Sequence, residues 1–185
     1  MPPHVKIVKE DIISAAIGCV RRSGADAINA RAVANALGCS TQPIFSNFSD
    51  MAELRLAVMK SAEKILYDFI AKEIALGKYP DYKASGMAYV RFAKEEPELF
   101  KFLYMRDRNK DDNNVGEGLF DEMTGIVSKQ TGLDSEKSRT FHFEMWTVVH
   151  GIATMIATDY LSLDLDFVSN VITDVYLGLK NQHGV

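Results

Sequence analysis

Apolar residues recur at helical spacing along most of the chain. One long face carries Leu54, Val58, Ala62, Ile65 and Phe69, which predicts a helix from residue 49 or 50 to about 76. The same reading predicts further helices over residues 9–22, 30–37, 41–47, 83–95, 97–106, 117–130, 134–158 and 164–180. Runs that alternate apolar and polar residues between hairpin turns do not occur in the sequence. The pattern therefore predicts an all-α protein.

Two short predicted helices, 30–37 and 41–47, have the lengths and the connecting turn of a helix-turn-helix. Asn29 is predicted to cap the first and Ser40 the second, with Gly38 supplying the positive φ of the turn. Thr41, Gln42, Ser46 and Asn47 would then form a polar outer face on the second helix, where DNA bases and phosphates would lie. An ordinary three-helix packing unit with a solvated face explains the local pattern equally well.

Composition narrows the class of protein. The chain has 185 residues, of which 25% are charged and 47% hydrophobic, as expected for one soluble globular protein. The uncharged, largely apolar stretch of residues 145–158 is shorter than the roughly 20 residues of a membrane span, and no secretory segment opens the chain. Two cysteines form neither a disulfide framework nor a zinc cluster. We therefore expect a cytoplasmic protein with no membrane partner.

The net charge of −4 argues against binding of nucleic acid by bulk attraction. The charge is uneven, however. Residues 1–60 hold 7 Lys/Arg and 5 Asp/Glu, which gives +2, so the other 125 residues carry −6. Only the first segment is therefore a candidate for contact with nucleic acid.

The residues after 80 are rich in aromatic and methionine side chains. For any one of them, hydrophobic core is the simpler explanation, but together they suit an adaptable apolar pocket, because Met repacks around varied ligands. Trp146 and His150 are four apart and so share a helix face, each with one polar group. The predicted ligand-binding residues are Tyr89, Phe92, Phe102, Met105, Met123, Trp146 and His150.

The last two predicted helices are apolar on more than one face. A helix that is apolar on two sides must be buried on two sides, and a symmetry mate is the simplest second surface. A monomeric core that uses both faces is the alternative. The predicted dimer interface comprises Val148, Ile152, Met155, Val168, Val171, Ile172 and Val175.

Several segments of the chain resemble those of a known protein family. The segments 9–16 (KEDIISAA), 24–34 (GADAINARAVA), 37–40 (LGCS) and 45–48 (FSNF) resemble the DNA-binding domain of TetR-type transcriptional regulators, over about residues 6–66. The segments 87–93 (MAYVRFA), 97–100 (PELF) and 146–151 (WTVVHG) are similar to a TetR subgroup with a Trp…His-Gly signature in its regulatory domain.

The resemblance implies a helix-turn-helix DNA-binding domain over residues 1–50 and a helical regulatory and dimerisation domain over 51–185. It also implies double-stranded operator DNA, a small effector and a second copy of the chain as partners. Two departures are informative. Many TetR-type proteins have Tyr at the place of Phe45 and Lys at that of Met51, so two phosphate contacts are lost, and Lys6 or Lys9 are candidate replacements. The DNA-contacting residues implied are Arg31, Thr41, Gln42, Pro43, Phe45, Ser46 and Asn47.

The sequence thus favours a ligand-responsive, homodimeric repressor that a small apolar effector releases from its operator. The alternative is a helical ligand-binding or protein-interaction module that has lost operator binding, which Phe45 and Met51 favour. No motif of a catalytic nucleophile or a phosphate loop is present, so an enzyme is not expected. No cofactor is expected either. A metal site on His142 and His150 is disfavoured because the two lie eight residues apart with no cysteine nearby.

Overall fold

The computed structural model describes residues 7–106 and 116–185, and within these ranges the chain forms nine α-helices and no strand. The predicted all-α class is confirmed. None of the helices in the described ranges combines the length and the apolar character that a membrane crossing requires. The polar run predicted as a loop, residues 107–114, lies outside the described residues, as does Lys6. The helices are α1 (Lys9–Ser23), α2 (Ala30–Leu37), α3 (Gln42–Asn47), α4 (Met51–Ala75), α5 (Asp81–Glu95), α6 (Pro97–Tyr104), α7 (Glu117–Thr131), α8 (Ser135–Ala157) and α9 (Leu165–His183).

Several helix starts follow from local side-chain caps. The Asn29 side chain accepts a hydrogen bond from the Ala32 N–H at 2.9 Å, and Asp134 caps α8 in the same way. The prediction that Ser40 caps the next helix is wrong. Thr41 is the N-cap of α3, and it already has helical dihedrals (φ −72°, ψ −13°), so its carbonyl rather than a side chain engages the first turn.

The chain divides into two compact units, and the division falls inside α4. The first unit holds the described residues up to Lys64 together with 98–106. Its core is built where α1 packs on α2, and the apolar faces predicted from the sequence point into it. The buried side chains include Ile12, Ala16, Val20, Val33, Ile44, Phe48, Leu54 and Val58. The boundary at residues 50 and 51 between two domains stays a prediction.

The second unit holds Ile65–Pro97 and 116–185. Its centre is α8, which packs against α5, α7 and α9, while α5 also packs against α9 and α7. This arrangement explains why α8 is apolar on more than one face, since three helices of the same chain already cover it. The effector residues predicted on α5, α7 and α8 all belong to this unit.

Helix α8 ends in a Schellman motif. The Tyr160 N–H donates to the Met155 carbonyl at 3.0 Å, and the Asp159 N–H donates to the Ile156 carbonyl at 3.1 Å. The residue that adopts the left-handed conformation in this motif is Asp159, with φ of 55°, where glycine is usual. The chain therefore holds a charged side chain at a position where its backbone is strained.

Candidate functional site

The turn between α2 and α3 has the geometry of a helix-turn-helix. Gly38 has φ of 65° and ψ of 32°, the left-handed conformation that only glycine adopts without strain. The Cys39 N–H donates to the Ala34 carbonyl at 3.0 Å and the Gly38 N–H to the Asn35 carbonyl at 3.2 Å, which closes α2. The chain then turns directly into α3, whose Ile44 is fully buried.

The predicted DNA-contacting residues lie on the solvent side of α2 and α3. Gln42, Phe45 and Ser46 are exposed, with Phe45 at 52%, and Arg31 is exposed on α2. Thr41, Pro43 and Asn47 are half-buried at the edge of the same face. The exposed residues of α3 therefore share one face of that helix, bordered by the half-buried ones, and Arg31 is exposed on the neighbouring helix. Because Phe45 is exposed, packing in the core does not explain a phenylalanine at this position.

Two polar groups on this surface are engaged by their own helix. The Ser46 hydroxyl donates to the Gln42 carbonyl at 2.9 Å, and the Asn47 amide donates to the Pro43 carbonyl at 2.8 Å. By contrast, the side chains of Gln42 and Arg31 have no partner within the described part of the chain. Gln42 and Arg31 are therefore the groups whose donors are free to meet base edges or phosphates.

Lys9 does not offer a free charge to DNA. Its Nζ lies 3.1 Å from Glu53 Oε1 and 4.8 Å from the ring centre of Phe48, so it ties α1 to α4. The Ser49 N–H and hydroxyl donate to the other Glu53 oxygen at 2.7 and 2.9 Å. Hydrogen bonds from Ser49 and Lys9 lower the pKa of Glu53 to about 2, so the carboxylate stays ionised and neutralises Lys9.

Three of the predicted effector residues form one connected group in the second unit. The Tyr89 hydroxyl lies 2.9 Å from His150 Nδ1, and the rings of Trp146 and His150 stack with centroids 4.7 Å apart. Tyr89 is buried, while Trp146 and His150 are half-buried. Burial lowers the pKa of His150, which favours the neutral imidazole. The predicted helix face of Trp146 and His150 therefore presents an aromatic stack with one polar edge.

The other predicted effector residues are distributed more widely. Phe92 has no exposed surface and packs edge-on against Phe69, with ring centroids 5.5 Å apart, and Met123 is buried in the same unit. Phe102 is buried in the first unit, where the guanidinium of Arg55 lies 5.3 Å from its ring centre. Met105, also in the first unit, is exposed.

A second tyrosine–histidine pair was not singled out from the sequence. The Tyr82 hydroxyl lies 2.8 Å from His142 Nδ1, and both side chains are buried. Burial lowers the pKa of His142 to about 4 and raises the pKa of Tyr82. The sequence does carry a signal for this pair, because Tyr82 and Tyr89 on α5 are spaced much as His142 and His150 are on α8. The signal can be interpreted only once α5 is known to pack on α8.

The residues predicted for the dimer interface fall into two groups. Ile152, Val168 and Ile172 are buried within the single chain, where the side chain of Ile172 reaches α5 beside Gly86. They leave almost no surface for a partner, so the structure corrects their assignment from interface to core. Val148, Met155, Val171 and Val175 are half-buried. Exposed apolar side chains on the same two helices, which the prediction omitted, are Phe143, Phe167 and Leu177.

The three histidines that the structure describes are engaged by other side chains rather than gathered around a centre. His142 and His150 bond to tyrosines, and His183 Nε2 lies 2.9 Å from Glu144 Oε2. Within residues 7–106 and 116–185, no group of three or more His, Cys, Asp or Glu side chains is arranged to hold a metal ion.

Comparison with known proteins gives a consistent result. Residues 82–173 match the family model described as "Tetracyclin repressor-like, C-terminal domain". An uncharacterized HTH-type transcriptional regulator of Mycobacterium tuberculosis is 24% identical over 181 residues, which cover 94% of this chain and 80% of that protein. The structure of a TetR family member from Streptomyces coelicolor A3 has a TM-score of 0.69 at 18% identity, over 90% of this chain and 96% of that one.

The multidrug binding protein EbrR, solved in complex with imidazole, shares the fold with a TM-score of 0.62 at 16% identity, over 90% of this chain and 93% of that one. The family model covers residues 82–173, while the relative and the shared fold extend over most of the chain. The chain belongs to the TetR family of transcriptional regulators.

Proposed function

We propose that the chain is a homodimeric repressor that binds a pseudo-palindromic operator and is released from it by a small, mostly apolar effector. The observation that carries the proposal is the exposed face of α3, where Gln42 and Phe45 stand clear of the core while Ile44 anchors the helix. A helix held in this way suits entry into a major groove, with its N-terminal residues toward the bases. The helix-turn-helix relative from Mycobacterium tuberculosis supports the same function.

The test is selection of genomic DNA fragments on the purified protein, followed by binding titrations on the recovered site. We expect specific retention at low salt. Gln42→Ala should weaken the specific site about fivefold, because it removes an amide whose donors and acceptor can discriminate bases. Arg31→Ala should weaken specific and non-specific DNA alike and lower the salt slope by about one, because it removes a phosphate contact.

The matched controls are Gln130→Ala on α7 and Lys60→Ala on α4, which remove the same kinds of group from other exposed surfaces. Both should leave the affinity for the site unchanged. If no fragment is retained above non-specific binding, or if the controls weaken binding as much as the α3 variant, operator binding is excluded. The helical ligand-binding or protein-interaction module then becomes the better reading.

The effector is proposed to bind beside the stack of Trp146 and His150, where Tyr89 fixes the imidazole and a small apolar molecule can use the half-buried indole. EbrR, which shares this fold, is described as a multidrug binding protein, and this supports a small-molecule site in the same kind of unit. A compound that changes the fluorescence of Trp146, the sole tryptophan, should also release the selected DNA. Release follows from linkage, because a ligand that binds better to a conformation with low DNA affinity shifts the protein toward that conformation.

Dimerisation is proposed through the outer faces of α8 and α9. Phe143, Phe167 and Leu177 are exposed there beside the half-buried Val171 and Val175, so an apolar surface is available once the core residues are set aside. A two-fold pairing of these helices would bury this surface and give the dimer two helix-turn-helix units for one operator. Successive major grooves on one side of DNA are about 34 Å apart, so two such units would suit a palindromic operator.

Val171→Glu should raise the dimer dissociation constant at least tenfold, about 1.4 kcal/mol, because a carboxylate would lose water without a partner. Sedimentation equilibrium should show about twice 20.6 kDa for the unmutated chain and a shift toward monomer for the variant. Gln130→Glu, at an exposed position on α7 outside the proposed interface, is the control and should remain dimeric. A stable monomer of the unmutated protein at micromolar concentration would contradict this interface.

A further inference from the structure

A cavity of about 150 Å³ opens in the second unit, at the C-terminal ends of α5 and α8. It is lined by Lys94, Pro97, Ile156, Asp159, Leu161, Ser162 and Leu163. None of these residues belongs to the group around Trp146 and His150. The volume is below the roughly 300–1,000 Å³ of sites for drug-sized ligands, so only a small molecule fits. The lining combines charged and apolar side chains, so the ligand should have both a polar and an apolar part.

Three polar side chains among the lining have no partner. In the part of the chain that the structure describes, the side chains of Lys94, Asp159 and Ser162 make no hydrogen bond or ion pair. Lys94 carries a positive charge and Asp159 a negative one. Both side chains are exposed, so water solvates either one that a ligand leaves unpaired. A zwitterion matches both charges at once, whereas a ligand with one charge matches only one of them.

The backbone at the cavity adds a second observation. Asp159 closes α8 in the left-handed conformation, with φ of 55°, at the position that glycine usually fills in a Schellman motif. Asp tolerates this conformation better than most residues, but it remains strained there. Glycine at this position would leave the rim of the cavity without a side chain, whereas Asp159 places a carboxylate there.

We propose that this cavity binds a small aliphatic α-amino acid as its zwitterion, at a site separate from the effector site. The Lys94 ammonium group pairs with the ligand's carboxylate, to which the Ser162 hydroxyl also donates a hydrogen bond. The Asp159 carboxylate accepts hydrogen bonds from the ligand's ammonium group. The aliphatic side chain occupies the apolar part of the lining, which consists of Pro97, Ile156, Leu161 and Leu163. The volume limits the side chain to about the size of leucine.

The test compares three probes by ligand-observed NMR and calorimetry on the full chain. These are L-leucine, 4-methylpentanoate, which lacks the ammonium group, and 3-methylbutylamine, which lacks the carboxylate. We expect L-leucine to bind with a dissociation constant of about 1 mM and the two singly charged probes to bind about tenfold more weakly. Equal affinity of L-leucine and either probe would overturn the zwitterion assignment. If L-leucine does not bind at a concentration ten times the expected dissociation constant, the cavity is not a site for it.

Two variants locate the site. Lys94→Gln and Asp159→Asn should each weaken L-leucine about tenfold, and Asn is chosen because it accepts the left-handed conformation without the charge. Lys129→Gln, an exposed lysine on α7, and Trp146→Phe, at the effector site, should leave the L-leucine affinity unchanged. If Lys94→Gln and Asp159→Asn bind L-leucine like the unmutated protein, the cavity is not the binding site. Loss of binding in Trp146→Phe would likewise show that L-leucine occupies the effector site instead.

Discussion

Replacing Phe92 with alanine is expected to lower the free energy of unfolding by about 3–5 kcal/mol. Phe92 has no exposed surface, and its ring meets Phe69 edge-on at 5.5 Å between centroids. Truncation therefore removes the burial of a whole ring, leaves a void on α5 and loses one aromatic pair. Urea unfolding at one fixed protein concentration, followed by circular dichroism, measures the change without contribution from a shifted dimer equilibrium.

The control is Phe45→Ala, which removes the same side chain from an exposed position on α3 and should change stability by about 0.5 kcal/mol or less. The comparison also separates two roles for Phe92. A side chain that borders a pre-existing ligand cavity has fewer neighbours to lose, so a cost below about 1.5 kcal/mol would contradict the core role. A cost within the expected range would make Phe92 part of the frame that holds the stack of Trp146 and His150.

The second large effect is a loss of stability in acid. His142 is buried with its Nδ1 2.8 Å from the Tyr82 hydroxyl, and burial lowers its pKa to about 4 from the value of 6.5. Below pH 6.5 the unfolded chain binds a proton that the folded chain does not. The stability associated with neutral His142 is therefore complete above pH 6.5 and declines as the pH falls toward 4, by about 3 kcal/mol over the whole interval. His150, whose pKa is also lowered by burial, acts in the same direction.

His142→Asn tests this assignment, because the Asn amide can hydrogen-bond to the Tyr82 hydroxyl as donor or as acceptor, but it does not titrate. The variant should be less stable at pH 7, since it loses the ring contact with Phe120 at 4.5 Å between centroids. Between pH 7 and 4.5, however, its stability should decline by clearly less than that of the unmutated chain. Thr140→Asn, on the exposed side of α8, should keep the full decline. Parallel pH curves for His142→Asn and the unmutated chain would contradict the role of His142.

Phe92 and His142 both lie in the core of the second unit, and contacts in this core also bear on the proposed regulation. Tyr82–His142 and Tyr89–His150 join the same two helices, α5 and α8, at two successive levels. The first pair is buried and the second is half-buried beside the indole, so the second is the one that a ligand can reach. An effector that engages His150 would compete with a contact that helps to fix α8 against α5, which gives it a route to change the conformation of the unit.

Much of the fold follows from interactions within a few residues. Asn29 caps α2, Asp134 caps α8, and Gly38 turns the chain into α3, and each of these depends on groups that lie within four residues along the sequence. Such features need no tertiary contact, so hydrophobic spacing and cap residues were enough to predict the helices. The choice of a helix-turn-helix over an ordinary three-helix unit depended in addition on the resemblance to TetR-type regulators. The exposed face of α3 follows from the same periodicity, because Ile44 fixes which side of the helix is buried.

The sequence by itself determined which faces of the helices are apolar, but only the tertiary structure decided what covers them. The apolar positions Ile152, Val168 and Ile172 on α8 and α9 face the chain's own core, whereas Phe143, Phe167 and Leu177 remain exposed. Periodicity along a helix is the same in both cases, because it reports burial and not the identity of the neighbour. The same reason hid the pairing of Tyr82 with His142, 60 residues away, and of Lys9 with Glu53, 44 residues away. Contacts of this kind depend on how helices cross, which is set by the packing of whole side-chain surfaces and not by the spacing of residues along the chain.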